Sequence, residues 1–267
     1  MNRDDGPESR AVLTAVAQNA LAKIDVGGVL ALSGPQGSGK STVSRRVASA
    51  PDAGVALLSL DDFYLPKTKR AQLAAEVSPL FETRGPPGTH DLGLLRRTID
   101  ALRTAVSDTA TPIPVFDKVS DDRLPSSEWS IYRGRPKKIL VEGWCLGALT
   151  PPDFLSAPPL NDVERSDSGK AWRSYQAAQL SGAYADLWSV FDAFLHIEAP
   201  DFATVTAWRA EQERDNQKTD DLALDRIAWV NRFVQHFERL TIAMAEGYRQ
   251  PGEVVRLNRD RTVAETR

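Results

Sequence analysis

VGGVLALSGPQGSGKST, residues 26–42, is the stretch whose reading decides the fold. Its first half is a short apolar run rich in Val and Leu that ends at Gly34, which predicts a buried strand feeding a tight turn. Its second half matches G-x-x-x-x-G-K-[ST] over Gly34, Pro35, Gln36, Gly37, Ser38, Gly39, Lys40 and Ser41, followed by Thr42. Glycines let a backbone curl so that several N–H groups face one anion. A helix opening near Gly39 adds its positive end. Lys40 then supplies a mobile charge for phosphate oxygens, and the Ser41 hydroxyl can ligate Mg²⁺. The bland alternative, a glycine-rich turn that binds nothing, is opposed by the strand before it and the helix after it.

Outward from this centre, strands and helices alternate. Residues 7–24 carry apolar positions at helical spacing; 54–62 read as a second buried strand, 137–144 as a third, 191–200 as a fourth and 252–258 as a last one. Helices are predicted over 67–77, 92–106, 171–187, 202–218 and 222–246. Residues 84–91 and 150–168 read as loops, 111–116 as an edge strand or loop because of its prolines, and 259–267 as a ragged tail. This order predicts an α/β fold with a mainly parallel sheet covered on both faces. The economical reading is one domain over 1–267, with an N-terminal helix inside 1–25 and an Arg/Glu-rich segment at 201–220 suited to a lid.

Composition excludes several classes. Thirty-three basic against 36 acidic residues give a net charge of −3, so no global attraction to nucleic acid is expected. One cysteine rules out an internal disulfide, and three scattered histidines make a zinc centre an unattractive reading. No run reaches the roughly 18 apolar residues of a membrane helix, and the polar start MNRDDGPESR lacks the apolar core of a secretory signal. A cytoplasmic protein without membrane or nucleic-acid partners is expected.

Acids close two of the strands. In open α/β sheets ligands sit at the carboxyl ends of strands, where Asp61, Asp62 and Glu142 fall. An acid there can hold Mg²⁺ or accept a proton from an attacking hydroxyl. Asp61 and Glu142 are the candidates, against the bland reading of polar strand caps. Asp62 is balanced between the two, since adjacent strand residues face opposite ways. Cys145 reads as a small buried hydrophobe, and His196 and His236 as packing residues.

Taken together, GPQGSGKST (34–42), LSLDDFYL (58–65), RGPPGTHD (84–91), PVFDK (114–118) with Asp122-Arg123, VEGWCLG (141–147) and AWRAEQE (207–213) resemble the small-molecule kinases of the uridine kinase, phosphoribulokinase and pantothenate kinase group. Within that group the likeness is greatest to the D-glycerate 3-kinase family. It departs from that family at VSDDR (119–123), which is compact and acidic where a Ser- and Gly-rich stretch is common. The resemblance implies a three-layer P-loop NTPase fold with a helical lid and acceptor-site insertions, using ATP and Mg²⁺. It implies Asp61 as general base, Glu142 as a Mg²⁺ partner with Ser41 and Asp61, and Lys40 with Arg209 of the lid on the phosphates. It also places Tyr64, Arg84, His90, Asp91 and Asp117 in segments that line the acceptor pocket. Arg214 is a weaker lid candidate.

A small anionic acceptor calls for a guanidinium, and Arg84 and Arg123 are the candidates; each has a surface arginine as its bland alternative. His90 can bond a hydroxyl or only the backbone, and Asp91 can bind acceptor or merely cap the helix from Leu92. The leading expectation is transfer of the ATP γ-phosphate to D-glycerate by a monomer or small homo-oligomer. A nucleoside, pantothenate-like or sugar acceptor, a P-loop ATPase switch and a non-catalytic binding protein are the alternatives.

Overall fold

The computed structural model describes residues 7–267, with side chains from residue 11 onward. Residues 1–6 of the 1–25 segment expected to hold the N-terminal helix lie outside that range. In chain order the elements are α1 (Pro7–Lys23), β1 (Val29–Ser33), α2 (Lys40–Ala48), β2 (Val55–Ser59), α3 (Lys67–Glu76), α4 (Leu92–Thr104), β3 (Ala110–Ile113), β4 (Phe116–Asp117), β5 (Asp122–Arg123), β6 (Ser130–Arg133), β7 (Lys138–Gly143), α5 (Asp162–Ser166), α6 (Ala171–Gln179), α7 (Ala185–Trp188), β8 (Ala193–Glu198), α8 (Phe202–Gln217), α9 (Leu224–Gln235), α10 (Glu238–Ala245), β9 (Glu253–Leu257) and β10 (Val263–Thr266).

The main sheet runs β10-β9-β8-β1-β7-β2. Every pairing in it is parallel except β9 with β10. All five residues of β1 are buried, as a central parallel strand requires. Alternation along the strands sorts side chains into two layers. Val29, Ala31, Ile139 and Val141 join the core under α4, α7 and α10. Leu30, Leu32, Leu140 and Leu195 join the core under α1, α2 and α8, where Leu13, Val43 and Trp208 meet them. Each fully buried Leu or Val contributes about 1.5–3 kcal/mol of hydrophobic stabilisation. The chain therefore forms three layers, helices on both faces of a mainly parallel sheet, as its sequence pattern predicts.

Four local expectations need correction. The strand over 54–62 stops at Ser59; residues 60–63 form a 3₁₀ turn that buries Leu60 and Phe63 and turns the acidic pair out of the sheet. The helix expected over 171–187 is interrupted by a π-turn at Leu180–Tyr184, where Gly182 departs from helical angles. The helix over 222–246 is two, broken at His236 and Phe237, and the His236 ring bonds the carbonyls of Arg232 and Phe233. The tail is an ordered edge strand, β10, whose alternation is masked by charged side chains of the kind that protect sheet edges. Residues 110–113 of the proline-containing segment pair with β6, a strand with no sequence signal.

Candidate active site

The phosphate-loop pattern lies between β1 and α2, at the carboxyl end of the sheet's centre. Gly37 and Gly39 adopt φ of +76° and +85°, the left-handed region where other residues are strained. A side chain at Gly37 has no room, because its Cβ would sit 2.5 Å from the Cβ of Trp208 in α8. Arg261, in the turn before β10, donates from Nε to the Gly37 carbonyl at 2.7 Å and lies over the Trp208 ring. The loop is thus braced from outside. The N–H groups of Lys40 and Ser41 open α2, ahead of Thr42 and Val43, which already donate to the Gly39 carbonyl, so the helix start presents its positive end to the loop. Lys40 reaches back toward the Pro35 carbonyl at 3.5 Å.

Register brings the acids to this loop. β2 pairs Ser59 with Glu142 on β7, and β1 pairs Leu32 with the same glutamate. Ser59 donates to Glu142 Oε1 at 2.6 Å, and Ser41 donates to the same oxygen at 3.1 Å. The other oxygen, Oε2, is buried and without a partner. A buried carboxylate oxygen left unpaired is costly, and a hydroxyl beside it completes a hard oxygen donor pair. That is the chemistry a phosphate-bound Mg²⁺ asks of a protein, so the residues fit the metal. Among the described residues no three His, Cys, Asp or Glu side chains assemble into a metal site of their own.

Asp61 stands on the 3₁₀ turn after β2. Its Oδ1 accepts from the Tyr64 hydroxyl at 2.6 Å and its Oδ2 from Lys118 Nζ at 2.7 Å. Burial alone would raise its pKa, but the charges of Lys118 and Lys40 and the two hydrogen bonds outweigh that and hold it below the usual carboxylate range. Asp62 goes the other way. Burial pushes it up to about 6, the Phe116 N–H it accepts at 3.1 Å pulls it down, and the adjacent Asp61 carboxylate raises it again.

Around Asp61 the structure gathers most of the residues picked out by sequence. The Tyr64 ring lies 5.0 Å from His90 and 5.1 Å from Phe116. His90 is buried, bonded through Nδ1 to Tyr184 at 2.6 Å, with Nε2 unpartnered; burial lowers its pKa to about 4, so it stays neutral. Arg84 pairs with Asp121 and stacks over Phe116 at 5.6 Å.

Asp91 and Arg123 are engaged with each other. Asp91 caps α4 through the Leu94 N–H and accepts from Arg123 at 3.1 Å, while Arg123 also bonds the Tyr64 carbonyl. Together they brace the Tyr64 segment. Asp117 accepts from the N–H groups of Val119 and Ser120, an engagement within its own turn. Arg209 in α8 pairs with Glu213 at 2.8 Å and lies over the rings of Trp229 and Phe233. Its other terminal nitrogen is buried without a partner, a donor left for an anion. Arg214 joins no ion pair among the described residues.

Several contributors escaped the sequence reading. Lys118 lay in a quoted segment but carried no pattern. Ser59 is set only by register, and Tyr184 only by the π-turn that swings its hydroxyl onto the Gly88 N–H and His90. Arg70, buried in α3, bonds the carbonyls of Leu65, Glu82 and Asp121 and ties Asp121 beneath Arg84. A cavity of about 250 Å³ also opens beside Gly34 and Pro35, between β8, α8 and α10; Asp61 and Lys118 are not among its walls.

Comparison with solved structures follows this geometry. A D-glycerate 3-kinase from Cryptococcus neoformans var. grubii superposes with a TM-score of 0.73 at 23% identity, covering 98% of this chain and 99% of that one. The structure of YGR205w protein superposes with a TM-score of 0.71 at 22% identity, covering 96% and 97%. The chain has the fold of the P-loop kinases. The likeness runs over nearly the whole length of each chain, so α8 and the segments after β2 belong to the shared fold. No protein-family model matches the chain, and no curated protein matches it. Among the described residues no helix is long and apolar enough to cross a membrane.

Proposed function

We propose that the protein is an ATP-dependent kinase that transfers the γ-phosphoryl group to a hydroxyl of a small anionic acceptor, with D-glycerate the leading candidate. The observation that carries this reading is Asp61. Its carboxylate is ionised, fixed by Tyr64, and close enough to Lys40 of the phosphate loop to feel its charge. A P-loop protein that only binds or hydrolyses nucleotide as a switch has no need of such a group beside a cationic pocket. The name of the Cryptococcus structure and the sequence resemblance support the choice of acceptor.

In the proposed reaction the acceptor oxygen attacks the γ-phosphorus while Asp61 takes its proton. The bond from phosphorus to the β–γ bridging oxygen breaks, and its electron pair leaves on ADP. Lys40 and the unpartnered Arg209 nitrogen offset charge on the moving group. Mg²⁺ would be held by Ser41 and Glu142, with Asp61 beside them, and would supply further positive charge to the phosphates.

The test is ADP formation by the purified protein with Mg²⁺, with and without D-glycerate, pantothenate, nucleosides and sugars. Turnover that depends on D-glycerate, and that falls at least a thousandfold in Asp61→Asn while ATP still binds, is expected. Turnover with another acceptor would replace glycerate and keep the kinase. ATP binding with no acceptor-dependent turnover would sink the kinase reading.

A further inference from the structure

Asp61 has a partner on each oxygen, and the two partners differ in kind. Tyr64 is 5% exposed and packed between His90 and Phe116. Burial raises its pKa well above the ordinary value, so it remains a fixed O–H donor. Lys118 is its opposite. Its side chain is 59% exposed, and it extends from the β4–β5 turn on a flexible four-carbon stem. An acceptor hydroxyl reaching the open side of Asp61 meets the Lys118 ammonium on Oδ2.

The arginines near this site each face a carboxylate other than Asp61: Arg84 shares Asp121 with Arg70, Arg123 has Asp91, and Arg209 shares Glu213 with Arg226, while Lys40 serves the phosphate loop. Lys118 alone is paired with the group that must receive the acceptor's proton. When that carboxylate turns to a hydroxyl, the half-exposed Lys118 ammonium loses its counter-charge, and an anion on the incoming molecule restores it.

We propose that Lys118 is the residue that selects an anionic acceptor: its ammonium rests on Asp61 in the empty site and passes to the carboxylate of a hydroxy acid as the acceptor's hydroxyl takes its place. This rests on Asp61 being the base. The exchange leaves the count of ion pairs at the site unchanged for an acid and one short for a neutral alcohol. An acidic acceptor is thereby favoured without a dedicated arginine clamp, and Arg84 and Arg123 stay with their structural partners.

The experiment compares D-glycerate with glycerol, which has the same carbon chain and no carboxylate, in the wild type, Lys118→Met, Lys118→Arg and Asp61→Asn. In Lys118→Met the KM for D-glycerate should rise roughly tenfold or more, the loss expected for one charge-assisted hydrogen bond, with a smaller change in kcat. The preference for D-glycerate over glycerol, as a ratio of kcat/KM values, should fall by the same factor. Lys118→Arg should recover part of it. Equal losses for both acceptors in Lys118→Met would mean that Lys118 only positions Asp61, and an unchanged KM would mean that it does not touch the acceptor; either overturns the proposal. Those results, with Asp61→Asn inactive, would leave the kinase reading standing. A wild type that turns over no hydroxy acid, or an Asp61→Asn that remains active, overturns both.

Discussion

Asp62 offers a prediction whose size can be worked from the structure. Its carboxyl is largely buried, and its pKa rises from the ordinary 3.8 to about 6 because burial outweighs the Phe116 N–H bond. The folded protein therefore holds a proton that the unfolded chain has released between about pH 4 and 6. The stability associated with that proton is fully present below about 3.8 and is lost as pH rises through about 6. The interval corresponds to about 3 kcal/mol. Asp62→Asn keeps an oxygen for the Phe116 N–H and removes the charge. The variant and the wild type should be nearly equal in stability at pH 4. At pH 8 the variant should be more stable by up to about 3 kcal/mol, most of the gap opening between pH 4 and 6. Urea denaturation of the nucleotide-free proteins across that range measures it. A difference that does not change with pH, or a variant less stable at pH 8, would show that Asp62 is not a buried acid forced to ionise.

Two further substitutions test the supports of the site. Gly37→Ala and Gly39→Ala share the strain of a positive φ, but only Gly37 faces Trp208, while nothing lies within 4 Å of a Cβ at Gly39. The first should cost about 1–3 kcal/mol more than the second, by the overpacking it forces, and should loosen ATP at least tenfold further; equal effects in denaturation and nucleotide titration would dismiss the α8 contact. Tyr184→Phe leaves the buried Gly88 N–H and His90 Nδ1 without their shared hydroxyl, and should cost about 1–3 kcal/mol in urea denaturation. No measurable loss would mean that water or a backbone shift replaces the phenol.

What the sequence could say about the site follows from how local each feature is. The phosphate loop was legible because its glycines, lysine and serine act within eight residues of one another, where spacing maps directly onto geometry. Glu142 was placed correctly at a strand end, yet its bond to Ser59 depends on β2 and β7 pairing in register across more than eighty residues. Arg70 and Tyr184 gave no signal at all. One is a buried arginine in a helix of mixed polarity, and the other reaches its partners only because a π-turn rotates it. The tail read as ragged because charged side chains hide the alternation of an edge strand. Its folding matters to the site, since it brings Arg261 onto Gly37.

The neighbours Asp61 and Asp62 show how little residue type alone decides about an acid. A continued β2 would have sent the two to opposite faces of the sheet, the one toward solvent-facing ligands and the other into a helix layer. The 3₁₀ turn keeps both near the strand's end but gives them different company: Lys118, Lys40 and a fixed phenol for Asp61, a single backbone N–H for Asp62. Opposite charge wins over burial at the first and loses at the second. Here the division leaves Asp61 ionised across the whole working range, while Asp62 ionises only as pH rises through about 6, at a cost to the fold. The same turn that ended the strand three residues short of the expected boundary is therefore the feature on which the proposed role of Asp61 as base depends.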